Sequence, residues 1–270
     1  MQINSYEDVL QAKIPVSLGG VELYVSLYCV DGLLIDTGPS TKKDVLLPLL
    51  SQWEFEQVIL THHHEDHTGL APWIQSVKEV PIYIHEKGIE LCRQKAKLPM
   101  YRRLFWGARV PFSPKKLSNT FQSANYSWEV IATPGHAPDH IALYNRERGW
   151  MFGGDLYVLP HPKSMFRFED VPTLITSLRK LLNYDFSTYF CQHAGIILDG
   201  KKAIKKKLDY LRHMQQEILF MSNAGNSTKQ IRKKLFPKKQ FMNYVSLGES
   251  SPRHFIRSIT DVKNRANKAK

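Results

Sequence analysis

The sequence predicts an α/β domain followed by a small helical module, and three observations lead to this fold class. Apolar runs with strand character alternate with helical patterns up to about residue 200. Beyond that point only helical spacing is found. The balance of charge changes at the same place. We therefore expect two units, at residues 1–200 and 201–270.

The predicted sheet structure opens with a hairpin. Asp31-Gly32, the preferred residue pair of a tight hairpin turn, separates strand candidates at residues 22–30 and 33–35. Further strands are expected at residues 57–60, 80–84, 128–132, 141–144, 150–152 and 188–191. Helices are expected at residues 42–52, 70–77, 87–96 and 171–182.

The C-terminal quarter shows the spacing of an amphipathic helix. Its apolar residues recur at intervals of three and four, at Ile204, Leu208, Leu211, Met214 and Ile218. A capping box at Ser227 and Gln230 and the pair Ser251-Pro252 predict two further helix starts. The apolar face is expected to pack on the preceding domain.

The net charge of +12 comes entirely from this quarter. Residues 1–195 carry 19 Lys/Arg and 20 Asp/Glu, whereas residues 196–270 carry 18 and 5. Two interpretations stand side by side: a solvated basic surface, or a surface that attracts an acidic substrate. In the second, the cations are Lys201, Lys202, Lys205, Lys206, Lys207 and the stretch 232–239.

Composition excludes several classes of protein. The three cysteines are widely spaced, which predicts neither a disulfide framework nor a cysteine zinc site. No apolar run of about 18 residues occurs, so a spanning helix is not expected. The N-terminus lacks the pattern of a signal peptide. These features predict a cytoplasmic protein without a membrane partner.

The strongest chemical signal is the cluster His62, His64, Asp66 and His67, directly after an apolar strand candidate. Residues two apart in an extended segment point to the same side, so the first two histidines can bind one metal ion together. Asp66 and His67 lie where the chain can turn towards a second ion. Imidazole and carboxylate donors suit zinc, and also iron or manganese. The intervening His63 and Glu65 are expected to face away.

Three more ligand-type residues each follow a strand candidate. His136, Asp155 and His193 come after residues 128–132, 150–152 and 188–191, respectively. Each alone is a weak signal, because loop histidines and turn aspartates are common. Together with the cluster they make seven ligands, enough for two ions that share a carboxylate.

In this order the motifs resemble the metallo-β-lactamase superfamily, in particular its glyoxalase II and lactamase-β-like branches. The resemblance spans about residues 20–200 and includes Asp36 in Asp36-Thr37-Gly38. It implies an αββα sandwich, with a winged-helix-like C-terminal module. It assigns one metal to His62, His64 and His136, the other to Asp66, His67 and His193, and a bridging role to Asp155. Asp36 would orient ligands.

The resemblance also implies an activity. Two zinc ions would generate a hydroxide that attacks an ester, lactone or thioester, with Asp66 as a catalytic residue and a small molecule as substrate. Zinc β-lactamases typically carry Cys or Ser at the position of Asp155, so a β-lactam substrate is not expected. Two alternatives remain: a metal-dependent ribonuclease that binds nucleic acid through the basic module, and an iron-dependent persulfide dioxygenase.

The segment Met100–Gly107 mixes aromatic residues with arginines and has two interpretations. It is either a helix packed on the sandwich with its arginines in water, or a lid that shapes the substrate pocket.

Overall fold

The structure, a computed structural model, describes residues 1–238 and 240–261. Two β-sheets form its centre. The first has seven strands in chain order: β1 (Gln2–Tyr6), β2 (Val9–Leu18), β3 (Val21–Val30), β4 (Leu33–Ile35), β5 (Gln57–Ile59), β6 (Ile82–Ile84) and β7 (Lys115–Lys116). The second has the order β14-β13-β11-β10-β9-β8, with β8 (Thr120–Gln122), β9 (Ser127–Ala132), β10 (Ile141–Asn145), β11 (Trp150–Phe152), β13 (Thr188–Cys191) and β14 (Gly195–Ile197).

Helices cover the outer faces of both sheets. Those before residue 110 are α1 (Lys43–Gln52), α2 (Glu65–Thr68), α3 (Ala71–Trp73), α4 (Glu86–Arg93) and α5 (Met100–Trp106), with a 3₁₀ turn at Ser40–Lys42 and a π turn at Ile74–Lys78. The later ones are α6 (Val171–Leu181), α7 (Gly200–Asn223), α8 (Thr228–Leu235), α9 (Phe241–Val245) and α10 (Pro252–Thr260). The short strands β12 (Met165–Phe166) and β15 (Ser250–Ser251) pair with each other.

Alternating side chains build the layers. On β3, Val25 and Leu27 belong to the apolar cluster under the first group of helices, whereas Tyr28 packs between the sheets. On β10, Leu143 packs between the sheets and Ala142 faces α6. The resulting order of layers is helix, sheet, sheet, helix, which confirms the predicted αββα sandwich.

The predicted hairpin is confirmed, because Asp31 and Gly32 both have positive φ (52° and 73°) and Val30 pairs with Leu33. The remaining predicted strands and helices are present with bounds shifted by a few residues. β1 and β2 are not among the predicted strands, and neither are the short strands β7, β8, β12, β14 and β15. Pro15 lies inside β2, and a proline in an apolar run argues against a strand when only the sequence is read.

The C-terminal helices share one apolar cluster with the second sheet and α6. Ile204, Leu208 and Leu211 of α7 are buried in it, together with Leu178 and Met151. The capping box at Ser227 and the helix start at Ser251 are confirmed. The division at residue 200 remains a prediction, and residues 262–270 of the predicted module lie outside the described residues.

One part of the expectation for the basic residues is wrong. Lys207 is only 4% exposed, so its charge does not contribute to the outer surface. Lys202, Lys205 and Lys206 are exposed, as are Arg232, Lys233 and Lys234, whereas Lys239 lies outside the described residues. Within residues 1–238 and 240–261, no helix combines the length and apolar character needed to cross a membrane.

Candidate metal centre

The predicted ligands gather because strands of both sheets end at one place. β4 and β5 are parallel, as are β11 and β13. β9 runs in the same direction as β11, since both pair antiparallel with β10. Loops that follow parallel strands leave the sheet at the same edge. The loops after these strands carry Asp36, the His62–His67 cluster, His136, Asp155 and His193.

His62, His64 and His136 form the first donor group. The Nδ1 atom of His64 lies 3.0 Å from Nε2 of His62 and 3.0 Å from Nε2 of His136. All three residues are buried. Burial, together with the neighbouring histidines, lowers the pKa of His62 well below its ordinary value. Burial and the nearby Arg102 do the same for the pKa of His64. Neutral rings with converging nitrogens are the form that binds a metal ion.

Asp66, His67, Asp155 and His193 form the second donor group. The Nε2 atom of His193 lies 3.4 Å from Oδ2 of Asp66 and 3.1 Å from Oδ2 of Asp155. Burial opposes protonation of both histidines, but the Asp155 and Asp66 carboxylates raise the pKa values of His67 and His193 well above normal. The same negative field favours a cation at this position.

Asp155 lies between the two groups. Its Oδ2 atom is 3.5 Å from Nε2 of His136 in the first group, and its Oδ1 atom is 3.4 Å from Nε2 of His67 in the second. Burial opposes ionisation of this carboxyl, yet His193 and His67 hold its pKa well below the ordinary value. An ionised carboxylate in this position can contact two cations at once.

A set of acceptors fixes the orientation of three histidine rings. The Nδ1 atoms of His67, His136 and His193 lie 2.8, 2.8 and 2.6 Å from Asp36 Oδ2, Glu169 Oε1 and the Tyr24 carbonyl, respectively. With Nδ1–H donating outward, each ring turns the lone pair of Nε2 towards the centre. Asp36 also accepts from the backbone N–H and the hydroxyl of Thr61, both at 2.8 Å. The resemblance assigned Asp36 an orienting role, and the structure brings its carboxylate into contact with His67 and Thr61.

The loop that carries Asp155 is closely packed. Gly154 has φ +52°, and a Cβ atom there would lie 2.4 Å from Nε2 of His140. This His140 nitrogen accepts from the backbone N–H of Asp155 at 2.9 Å. Burial lowers the pKa of His140 to about 3, so the ring is neutral and able to accept. His140 therefore supports the loop and belongs to neither donor group.

The residues present fit divalent metal ions. The Nε2 atom of His67 and the Oδ1 atom of Asp155 are both buried without a hydrogen-bond partner. Such atoms are costly inside a protein unless something binds them. Their nitrogen and oxygen donors, with those of the five other residues in the two groups, match the preferences of zinc, iron and manganese.

The spacer residues face away from the centre, as predicted. His63 Nδ1 lies 2.7 Å from Asp139 Oδ1, and Glu65 forms a buried ion pair with Arg102 of α5. The interpretation of α5 with its arginines in water is therefore wrong for Arg102, although Arg103 is exposed. One turn further on, the Trp106 ring lies 6.2 Å from the ring of His193, so α5 forms a wall beside the centre.

Sequence reasoning missed Glu169, Arg102 and the Tyr24 carbonyl. Glu169 is separated from His136 by 33 positions and Arg102 from Glu65 by 37, and neither lies in a recognisable local pattern. Their roles follow only from the folded arrangement of the loops.

Comparison with known proteins agrees with this arrangement. The family profile described as the metallo-beta-lactamase superfamily matches residues 27–193. A probable metallo-hydrolase, YqjP, from Bacillus subtilis is 28% identical, with 86% of each chain covered. An atrochrysone carboxyl ACP thioesterase from Aspergillus fumigatus is 23% identical, covering 76% of this chain and 60% of that protein.

A solved structure shares the fold across both parts of the chain. The metallo-beta-lactamase family protein from Thermus thermophilus superposes with a TM-score of 0.68 at 18% identity, covering 96% of this chain and 94% of that one. The family match spans more than half of the chain and ends at His193, the last predicted donor. This chain therefore belongs to the metallo-beta-lactamase superfamily and is a metallo-hydrolase of that family.

Proposed function

We propose that this protein is a dinuclear, zinc-dependent hydrolase that cleaves an acyl ester, lactone or thioester. The observation that carries the proposal is the position of Asp155, whose carboxylate lies within 3.5 Å of ring nitrogens in both donor groups. A shared carboxylate holds two cations at the short separation that dinuclear hydrolases use.

The chain's own residues have separate tasks in this proposal. When bound, the two ions supply a nucleophile at neutral pH and stabilise negative charge on the substrate oxygen. Six donors hold the ions, and Asp155 fixes their separation. The Asp66 carboxylate lies at the centre, with Oδ2 3.4 Å from Nε2 of His193, where it can orient the attacking water or accept its proton.

The surroundings suit an acyl group. The Phe168 ring is 39% exposed and lies 5.0 Å from the ring of His64 and 5.9 Å from that of His136. Trp106, which is 8% exposed, lies beside His193. The exposed Phe168 ring provides apolar contact for the part of the substrate next to the reacting carbonyl.

Among acyl substrates, a thioester is favoured by the name of the fungal relative, a thioesterase that acts on an acyl carrier protein. A β-lactam is disfavoured, because Asp155 stands where zinc β-lactamases typically carry Cys or Ser. The cytoplasmic location predicted from the sequence belongs to the same proposal, and the burial of Cys29, Cys92 and Cys191 as free thiols is compatible with it.

The experiment is metal analysis followed by a substrate panel. Purified protein is expected to contain about two zinc ions per chain and to hydrolyse acyl thioesters or esters, with loss of activity on chelation and recovery on zinc addition. One iron per chain, with oxygen consumption on a glutathione persulfide, would instead establish the dioxygenase alternative.

A ribonuclease is the second candidate, and the exposed lysines of α7 and α8 favour it. Lys202 and Lys206 on α7 and Lys233 and Lys234 on α8 can meet phosphates by electrostatic attraction. The substrate panel therefore includes a single-stranded RNA at low salt.

A further inference from the structure

Helix α7, the first of the C-terminal helices, contributes a buried amine to the interface with the sandwich. Lys207 is 4% exposed, and its Nζ atom donates to the carbonyl oxygens of Leu156 and Tyr157 at 2.7 and 2.5 Å. Burial lowers the pKa of this ammonium to about 8. Its neighbours on the same face, Ile204 and Leu211, are apolar core residues.

Burying an amine at such a position costs free energy. A methionine or leucine would fill the space without the cost of removing an amine from water. Packing alone therefore does not account for Lys207. The two carbonyl oxygens that it contacts offset part of the cost, and they follow directly on Asp155 in the chain.

The loop after Asp155 needs an external support. Val158 has φ +47°, a left-handed conformation that a β-branched residue rarely adopts. Earlier in the loop, the Gly153 carbonyl accepts from the Tyr189 hydroxyl, and the Gly154 carbonyl accepts from the Gln192 N–H. Within the described part of the chain, the Leu156 carbonyl accepts only from Lys207.

We propose that Lys207 is a positioning residue for Asp155. It binds the carbonyl oxygens of Leu156 and Tyr157 and so fixes the loop that presents the shared carboxylate. The inference rests on the proposed dinuclear function. It makes the C-terminal module part of the metal-binding apparatus, although the module supplies no ligand.

The test compares three variants of the full chain. Lys207→Met keeps the apolar stem and removes the donor. Lys207→Gln keeps an N–H donor on a shorter side chain. Lys206→Met removes an exposed lysine from the neighbouring position on the same helix and is the matched control. Zinc affinity is measured by competition with a chromophoric chelator, and thermal unfolding is measured separately on metal-free protein.

Lys207→Met is expected to bind the weaker of its two zinc ions at least tenfold less tightly than the parent, since supports of metal ligands typically contribute about 10- to 100-fold in affinity. Lys207→Gln should recover part of this loss, and Lys206→Met should match the parent. If Lys207→Met does not fold, a Lys207→Gln variant with a reduced affinity for one zinc ion still supports the inference.

Other outcomes separate the two proposals. If both Lys207 variants bind two zinc ions as tightly as the parent, and only their thermal unfolding changes, Lys207 is a packing residue and the inference is wrong. If the parent itself binds fewer than two metal ions, the proposed dinuclear function is wrong, whatever the role of Lys207.

Discussion

The guanidinium of Arg102 donates two hydrogen bonds to the carboxylate of Glu65, Nε to Oε1 at 2.6 Å and Nη2 to Oε2 at 2.8 Å. Both side chains are buried, and Glu65 lies in the chain between the donors His64 and Asp66. The Arg102 guanidinium also stacks over the Phe168 ring at 5.2 Å. The pair thus connects the α5 wall to the segment that supplies four of the donors.

Arg102→Met should destabilise the protein by about 3–5 kcal/mol, because it leaves the Glu65 carboxylate buried without its partner. The double variant Arg102→Met/Glu65→Gln should recover much of that loss, since no charge then remains buried. Urea unfolding of metal-free protein measures both effects. Arg103 is an exposed neighbour on α5, so the Arg103→Met variant is the control and should unfold like the parent.

Asp155→Ala should abolish hydrolysis and leave the fold largely intact. Without the shared carboxylate, His136 and His67 no longer belong to one connected centre. Turnover, metal content and circular dichroism together check this expectation. Near-normal turnover by a folded variant would show that Asp155 does not connect the two donor groups.

Glu169→Ala should weaken binding at the first donor group by about 10- to 100-fold in metal affinity, because His136 loses the acceptor that fixes its ring. Glu147→Ala removes an exposed carboxylate and serves as the matched control. The measurement is zinc competition on both variants. Equal affinities would mean that packing alone orients His136.

Stability should rise with pH between about 8 and 10.5 through Lys207. Its folded-state pKa of about 8 lies below the ordinary 10.5, so the unfolded chain binds more protons in this window. Glu169, Cys191 and Asp155 raise the pKa of Lys207 but do not overcome burial. The full effect is about 3 kcal/mol, at about 1.36 kcal/mol for each pKa unit.

Urea unfolding of the parent and of Lys207→Met across this pH range isolates the contribution of Lys207, because the buried thiols and tyrosines act equally on both proteins. The difference in unfolding free energy between the two should grow in favour of the parent as the pH rises. A difference independent of pH would contradict the lowered pKa.

Charge reversal on the module tests the nuclease alternative. Lys207 has to be left out, because a glutamate there would bury a new charge; Lys202, Lys205 and Lys206 are exposed. If RNA is a substrate, the triple Lys→Glu variant should lose RNA binding and its dependence on salt, because screening acts on exposed charges over about 10 Å at 0.1 M. Thioester hydrolysis should be unchanged. A parent that binds no RNA even at low salt would eliminate the nuclease.

The predicted donors could be located in the sequence because each one follows a strand, and strand patterns are local. His62, His136 and Asp155 could all be placed in this way. The supporting contacts could not be predicted. Glu169 reaches His136, and Lys207 reaches Leu156, only after α6 and α7 pack on the second sheet. Nothing in the local pattern marks Glu169. Lys207 lies three residues after Ile204 and four before Leu211, on the apolar face of α7, but its residue type is that of the exposed lysines next to it.

The apolar cluster beneath α7 has a consequence for folding during synthesis on the ribosome. All seven donor residues have been synthesised by His193, but the parts of α6 and β13 that pack against α7, and the part of α6 that packs against α10, stay uncovered until those helices have followed. A ribosome paused near residue 200 would therefore hold a chain with every metal ligand and an exposed apolar sheet face. We expect the nascent chain to need a chaperone over this interval and to acquire its metal ions only after release.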